Sequence, residues 1–162
     1  IAAEAQLWME EIALEQATTE RPVSVIRASN VQGVPISGPP GNGLLHKWAS
    51  EAPIGWVNVP GDGSDLKDFV HVQDLVECIM RVMADPPPTR ESIAIGSGKG
   101  IQLRDLAAIY NQMTGCEAEY GQNQDLEVFG IVDASEVEMR LGFRPTVSLE
   151  EMIRESFEAS GH

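Results

Sequence analysis

The chain has 162 residues, 43% of them hydrophobic, and 25 acids against 11 bases give a net charge of -14. That length suits one domain or a large part of one, and the apolar share can fill a core. The charge argues against a nucleic-acid groove or an anionic membrane surface, which need a basic face, and no apolar run approaches a membrane span.

Residues 1–17 read as a helix. Ile1, Ala5, Trp8 and Ile12 fall at i, i+4, i+7 and i+11, with Glu4, Glu11 and Glu15 on another side. Leu7, Met9 and Leu14 widen the apolar surface beyond one stripe, so this helix is expected to be covered on two sides, by its own core and by a partner. Residues 22–27 form a nearly continuous β-branched run that suits a buried parallel strand. It ends at Ala28-Ser29-Asn30, before a loop rich in Gly and Pro that reaches Gly43. Open α/β sheets bind ligands at the carboxyl ends of their strands, which places Asn30 well.

A short helix over 44–50, a strand over 56–59 and a Gly61-Asp62-Gly63 turn follow. Residues 67–70 predict a strand. The helix after it takes Val72, Leu75, Val76, Ile79 and Met83 as its apolar stripe and stops at Pro86-Pro87-Pro88. A strand over 92–95, a glycine turn over 96–100, a helix over 103–113 closed by Gly115 and a strand over 117–120 come next. Asp133 with Glu136, and Ser148 with Glu151, carry capping-box signatures for two last helices, the first ending at Gly142.

Gly96-Ser97-Gly98-Lys99-Gly100 invites a phosphate-loop reading and fails it. A dinucleotide fingerprint needs Gly where Ile101 stands, and a Walker loop needs Ser or Thr after its Gly-Lys pair. The acids Asp62, Asp65 and Asp68 lack the spacing of a calcium loop, so no metal is expected. Cys78 and Cys116 stand far apart without a Cys-x-x-Cys pattern, and a reduced, cytoplasmic protein is expected. His71, at a strand-to-helix junction, reads as a hydrogen-bonded structural histidine. His46 beside Lys47 reads either as the lining of a cleft or as a solvated helix face. Lys67 is one of only three lysines and sits beside Asp65, Asp68 and Asp74.

Five segments in order resemble the extended short-chain dehydrogenase/reductases, the NAD-dependent epimerase/dehydratase family. They are Ile1-Ala2-Ala3-Glu4, then Val25-Ile26-Arg27-Ala28-Ser29-Asn30-Val31-Gln32-Gly33, then Gly61-Asp62-Gly63 with Lys67-Asp68-Phe69-Val70-His71-Val72-Gln73-Asp74-Leu75, then Ile95-Gly96-Ser97-Gly98, and last Leu141-Gly142-Phe143-Arg144-Pro145 with Ser148-Leu149-Glu150-Glu151. The resemblance implies an α/β fold: the C-terminal part of a Rossmann-type sheet plus a small mixed α/β substrate-binding lobe. Residues 1–35 and 66–97 would complete the sheet, with strands 23–27 and 92–95 as parallel neighbours, and 36–65 and 98–162 would form the lobe.

So aligned, Ile1 follows the family's catalytic Tyr-x-x-x-Lys. The NAD-binding half, with its glycine-rich loop, Tyr and Lys, would lie upstream, leaving a C-terminal fragment that is not catalytic alone. The intact protein is then expected to use NAD or NADP, with none bound to this piece. The resemblance places Asn30, Asn42, His46, Lys47 and Lys67 against the substrate and Ser29 and Val31 against the cofactor. The substrate would be a nucleotide sugar or another small hydroxyl or carbonyl compound, and the first helix would pair two copies through a four-helix bundle.

Three departures bear on the substrate. Lys67 stands for the usual Arg, keeping the charge without the bidentate fork. Gly121-Gln122-Asn123-Gln124-Asp125 lacks the cation often found in the tail, and Gln32 stands where the family often has Tyr. A non-catalytic binding or interaction module derived from the same fold is the alternative reading.

Overall fold

The computed structural model describes residues 2–34, 43–121 and 130–161. In chain order these form α1 (Ala2–Glu15), β1 (Val23–Ala28), β2 (Asn30–Gln32), α2 (Leu44–Glu51), a single 3-10 turn (Ala52–Ile54), β3 (Trp56–Val59), β4 (Leu66–Lys67) and β5 (Phe69–His71). Then come α3 (Val72–Ala84), β6 (Arg90–Ile95), β7 (Ile101–Gln102), α4 (Leu103–Thr114), β8 (Glu117–Tyr120), α5 (Ala134–Leu141) and α6 (Leu149–Ala159). This is the expected α/β arrangement.

Three of the four strand pairs are parallel. β1 lies beside β6 with Val23 opposite Arg90 and Ala28 opposite Ile95, so the two β-branched runs are parallel neighbours, as expected. β2 pairs with β5, Asn30 opposite Phe69, and β3 with β8, Trp56 opposite Glu117. β4 and β7 pair antiparallel, Lys67 opposite Ile101.

Two details of the expected layout change. The strand expected over 67–70 breaks at Asp68 into β4 and β5, because β4 turns to pair with β7 while β5 pairs with β2. Conversely, the loop expected after Asn30 begins as strand β2, whose backbone finds partners on β5.

The buried side chains form two clusters. One gathers Val70, Cys78, Val82, Ile93, Ile95 and Val137, with Ile26, Leu75, Leu141 and Phe143 packed on it; it lies around β1 and β6, and α5 rests on β6. The other gathers Leu45, Trp48, Val57, Val59, Leu103, Leu106, Tyr110, Met152 and Ile153 among others, and lies around β3, α2, α4 and α6. Trp48 meets Tyr110 edge to face at 5.3 Å between ring centroids and donates from Nε1 to the Asn58 carbonyl at 2.9 Å. The indole thus fills the core with its one donor satisfied.

α3 is rotated relative to its sequence pattern. Asp74, Cys78 and Val82 are buried, whereas Val76 is 51% and Met83 69% exposed. The reason lies in the first turn. Asp74 Oδ1 accepts from Thr146 N and Oγ1, and Oδ2 from Val147 N at 3.1 Å. A buried carboxylate must meet donors, and meeting these turns the Asp74 side of the helix inward and the Val76–Met83 side outward.

The helix ends follow their capping residues. Ser148 Oγ accepts from Glu151 N at 3.1 Å, as the capping-box spacing predicts. Asp133 instead accepts from Ser135 N, one residue earlier than its pairing with Glu136 implied. Gly115 and Gly142 close α4 and α5 with φ of 79° and 61°, the left-handed region that glycine adopts without strain.

Candidate functional site

Asn30 opens β2 half-buried and is held twice by one atom. Its backbone N donates to the Asp68 carbonyl at 3.1 Å and its Nδ2 donates to the same oxygen at 2.8 Å. The side chain is therefore fixed before any ligand arrives. Lys67, half-buried in β4, immediately precedes Asp68, so one residue joins the two polar positions singled out from sequence.

Asp68 itself is 1% exposed. Its Oδ1 accepts from Ser97 N at 2.9 Å and Ser97 Oγ at 2.6 Å; its Oδ2 accepts from Val132 N at 3.1 Å and Gly98 N at 3.3 Å. The glycine turn that resembled a phosphate loop thus closes on an internal carboxylate. It fits tightly: a Cβ at Gly96 would lie 2.5 Å from Asp68 Oδ2 and 2.7 Å from Val132 Cβ.

Ser29 anchors its backbone N on the Ile95 carbonyl at 2.9 Å, while its Oγ is buried without a hydrogen-bond partner. It borders an open cavity of about 590 Å³ at the carboxyl ends of β1 and β6, lined by residues 27–30, Ala94 and residues 130–133. Val31 lies outside that lining, exposed and opposite Val70.

α2 brings the next pair. Its N-cap Gly43 lies against buried Gln32; a Cβ there would stand 2.8 Å from Gln32 Oε1. His46 is buried on this helix, with Nε2 unpartnered, and burial pushes its pKa below the ordinary imidazole value. The solvated-face reading therefore does not apply to His46. Lys47, the next residue, is exposed and pairs with Glu51 one turn on at 3.9 Å. Asn42 lies outside the described residues.

The sequence reading named Asp68 and Asp74 without their burial, and it missed the half-exposed partner of His71. His71 Nδ1 accepts from Gln73 N at 3.2 Å, which assigns the ring proton to Nε2, 2.8 Å from Glu155 Oε2. A signal for Asp68 existed, since an acid between a strand lysine and Phe69 demands donors, and a Gly-Ser-Gly turn supplies them. Nothing in the sequence pointed to Glu155, whose partner lies 84 residues away.

Chemically, the described residues offer a fixed carboxamide at Asn30, a cation on the strand before Asp68, a buried imidazole and a buried hydroxyl that borders the cavity. The Ser29 cavity opens at the carboxyl ends of two parallel strands, where open α/β sheets place their ligands. The glycine turn cannot cradle a diphosphate, because Asp68 already occupies it. Among the described residues no cluster of His, Cys, Asp or Glu could hold a metal ion, and no helix is long and apolar enough to cross a membrane.

Comparison with known proteins supplies the class. The model of the NAD dependent epimerase/dehydratase family matches residues 3–96, and the chain belongs to that family. It is 30% identical to GDP-L-fucose synthase 1 of Arabidopsis thaliana over 105 residues, 63% of this chain and 32% of that protein. It is 29% identical to dTDP-L-rhamnose 4-epimerase of Burkholderia thailandensis over 150 residues, 85% of this chain and 39% of the relative.

Among solved structures, UDP-glucose 4-epimerase from Bifidobacterium longum, in complex with NAD+ and UDP, superposes with a TM-score of 0.77 at 18% identity. The match covers 96% of this chain and 52% of that one. RMD from Pseudomonas aeruginosa, complexed with NADPH, gives 0.78 at 20% identity, covering 98% and 54%. These likenesses establish the fold, a Rossmann-type α/β architecture. The chain spans about a third of the length of the curated relatives and about half that of the solved ones.

Proposed function

We propose that this chain is the substrate-binding part of an NAD- or NADP-dependent enzyme that acts on nucleotide sugars as an epimerase, dehydratase or related reductase. The observation that carries the reading is the double hold of Asp68 O on Asn30, which fixes the Asn30 carboxamide to the residue that directly follows Lys67 in the chain. A cation and a fixed hydrogen-bonding group suit a ligand with a diphosphate and hydroxyls. Relatives and neighbours whose names specify GDP-, dTDP- and UDP-linked sugars support the substrate class.

In this reading Asn30 and Lys67 meet the substrate, with Asn42, His46 and Lys47 contributed from the segment that opens α2. Ser29 and Val31 would border the cofactor, which supplies hydride removal and return when bound. The chain's own share is to bind and orient the sugar, and catalytic acid–base groups come from outside residues 1–162. Residues 1–35 and 66–97 act as the end of the sheet, and 36–65 and 98–162 as the lobe over the substrate. The cytoplasm and a homodimer built on α1 complete the proposal.

The test is titration of the full-length protein with UDP, GDP and dTDP, followed by turnover of the matching nucleotide sugar. Micromolar binding of one diphosphate with NAD- or NADP-dependent conversion is expected. Binding without turnover would make the chain a non-catalytic module of the same fold, and no binding of any of the three would overturn the substrate class. The isolated 162-residue chain should bind NAD weakly or not at all, since its glycine turn is filled; micromolar affinity would refute that assignment.

A further inference from the structure

We infer that Asp68 is a positioning residue that sets Asn30 and Lys67 in register with the glycine turn, and so tunes substrate affinity without touching the substrate. The inference rests on the substrate reading above and goes one step beyond it.

The geometry carries it. Three approaches to the site are held from Asp68. Its carbonyl takes both donors of Asn30. Its carboxylate takes Ser97 N, Ser97 Oγ and Gly98 N from the turn after β6, and Val132 N from the segment before α5. Its own backbone follows Lys67 directly, at the break where β4 leaves for β7 and β5 stays with β2.

A buried carboxylate accepting four donors has no freedom to shift, because each displaced donor would be left unpaired. The Cβ-sized gap missing at Gly96 removes the other escape, movement of the turn toward the acid. The Lys67 backbone and the Asn30 carboxamide are therefore located by the same anchor.

Asparagine at this position tests the idea with almost no change of volume. Whichever way its amide lies, an NH2 faces donors that need an acceptor, either Ser97 N or the Gly98 and Val132 pair. The anchor should then loosen while the apolar cores stay as they are.

The experiment is a double-mutant cycle in the full-length protein, read as binding of whichever nucleoside diphosphate the wild type holds. Asp68→Asn should weaken binding about tenfold in the wild-type background and by a clearly smaller factor in Lys67→Ala, where the cation's share of the positioning is already gone. Ser97→Ala, which removes one of the four donors, should weaken binding in the same direction by a smaller factor and serves as the readout if Asp68→Asn fails to fold. Equal losses in both backgrounds would overturn the positioning role, as would full affinity in the folded Asp68→Asn or Ser97→Ala protein. A Lys67→Ala variant that binds as well as wild type would instead overturn the substrate reading, and the inference with it.

Discussion

His71 and Glu155 are joined Nε2 to Oε2 at 2.8 Å, across the gap between the start of α3 and the second turn of α6. The same imidazole caps α3 through Gln73 N, while Asp74, three residues on, takes Thr146 and Val147 just ahead of α6. The last helix is thus fastened to the first turn of α3 at two points.

Removing either end of the His71 bond leaves a polar group of the other without its partner. Glu155→Ala and His71→Ala should each destabilise the chain, and the coupling between them should be about 1–2 kcal/mol, less than the usual value for a hydrogen bond to a charged group because the Glu155 carboxylate is partly solvated. Urea denaturation of the two single variants and the double checks it. Additive losses would show that the pair is a contact without energetic weight.

His46 gives the stability a pH dependence of known sign. Burial lowers its pKa below the ordinary 6.5, so below that pH the unfolded chain takes up a proton that the folded one resists. Stability present at neutral pH should therefore be lost as the pH falls from about 6.5 toward the lower folded value, and should level off beneath it. Melting temperatures measured between pH 7.5 and 5 should show this slope in the wild type and a flatter one in His46→Asn. The depressed carboxyls of Asp62 and Asp133, each bonded to a serine two residues on, act in a separate window below 3.8.

Lys67→Ala in the full-length enzyme should raise KM for its nucleotide sugar about tenfold to a hundredfold, the loss of roughly 1.5–3 kcal/mol expected of a hydrogen bond to a charged group. Lys67→Arg should be tolerated or bind more tightly, because a guanidinium offers a forked pair of donors to phosphate. Steady-state kinetics with both variants decide; an unchanged KM in Lys67→Ala would leave the cation a structural one.

On α1, Leu7, Trp8, Met9 and Ile12 are between 57% and 70% exposed, apolar surface of the kind that marks an interaction site. Paired across a two-fold axis, the patches of two copies would cover each other. Trp8→Glu should convert a dimer to a monomer in sedimentation velocity, and an unchanged mass would count against the α1 interface.

Strand positions, and the one pairing of β1 with β6, were legible where local chemistry repeats a pattern. β3 and β8 fall on residues 56–59 and 117–120, and β1 and β6 come from β-branched runs whose buried parallel pairing such runs favour. Asn30 stood out for the same reason, at the polar end of an apolar run. The burial of α3 was illegible because its rotation is decided by Asp74 meeting Thr146 and Val147, a contact 72 residues long that no local periodicity records. His46 shows the complementary difficulty: on a short helix beside Lys47 it reads equally as cleft lining or solvated face, and only the packing of α2 against α6 and β3 takes the imidazole out of water.

The pairing order of the strands carries a consequence for how the chain folds. Among the described strands there is no hairpin: Val23 waits for Arg90, Asn30 for Phe69, Trp56 for Glu117 and Lys67 for Ile101. Every pairing closes a long loop before any hydrogen bond rewards it, which slows the search for the native state. The pairs are also interleaved, since β3 precedes β6 in the chain while its partner β8 follows it, so neither core can be completed from a contiguous stretch. A ribosome making this chain delivers β1, β2 and β3 long before their partners, and the apolar runs of β1 and β3 are what a chaperone would meet unpaired.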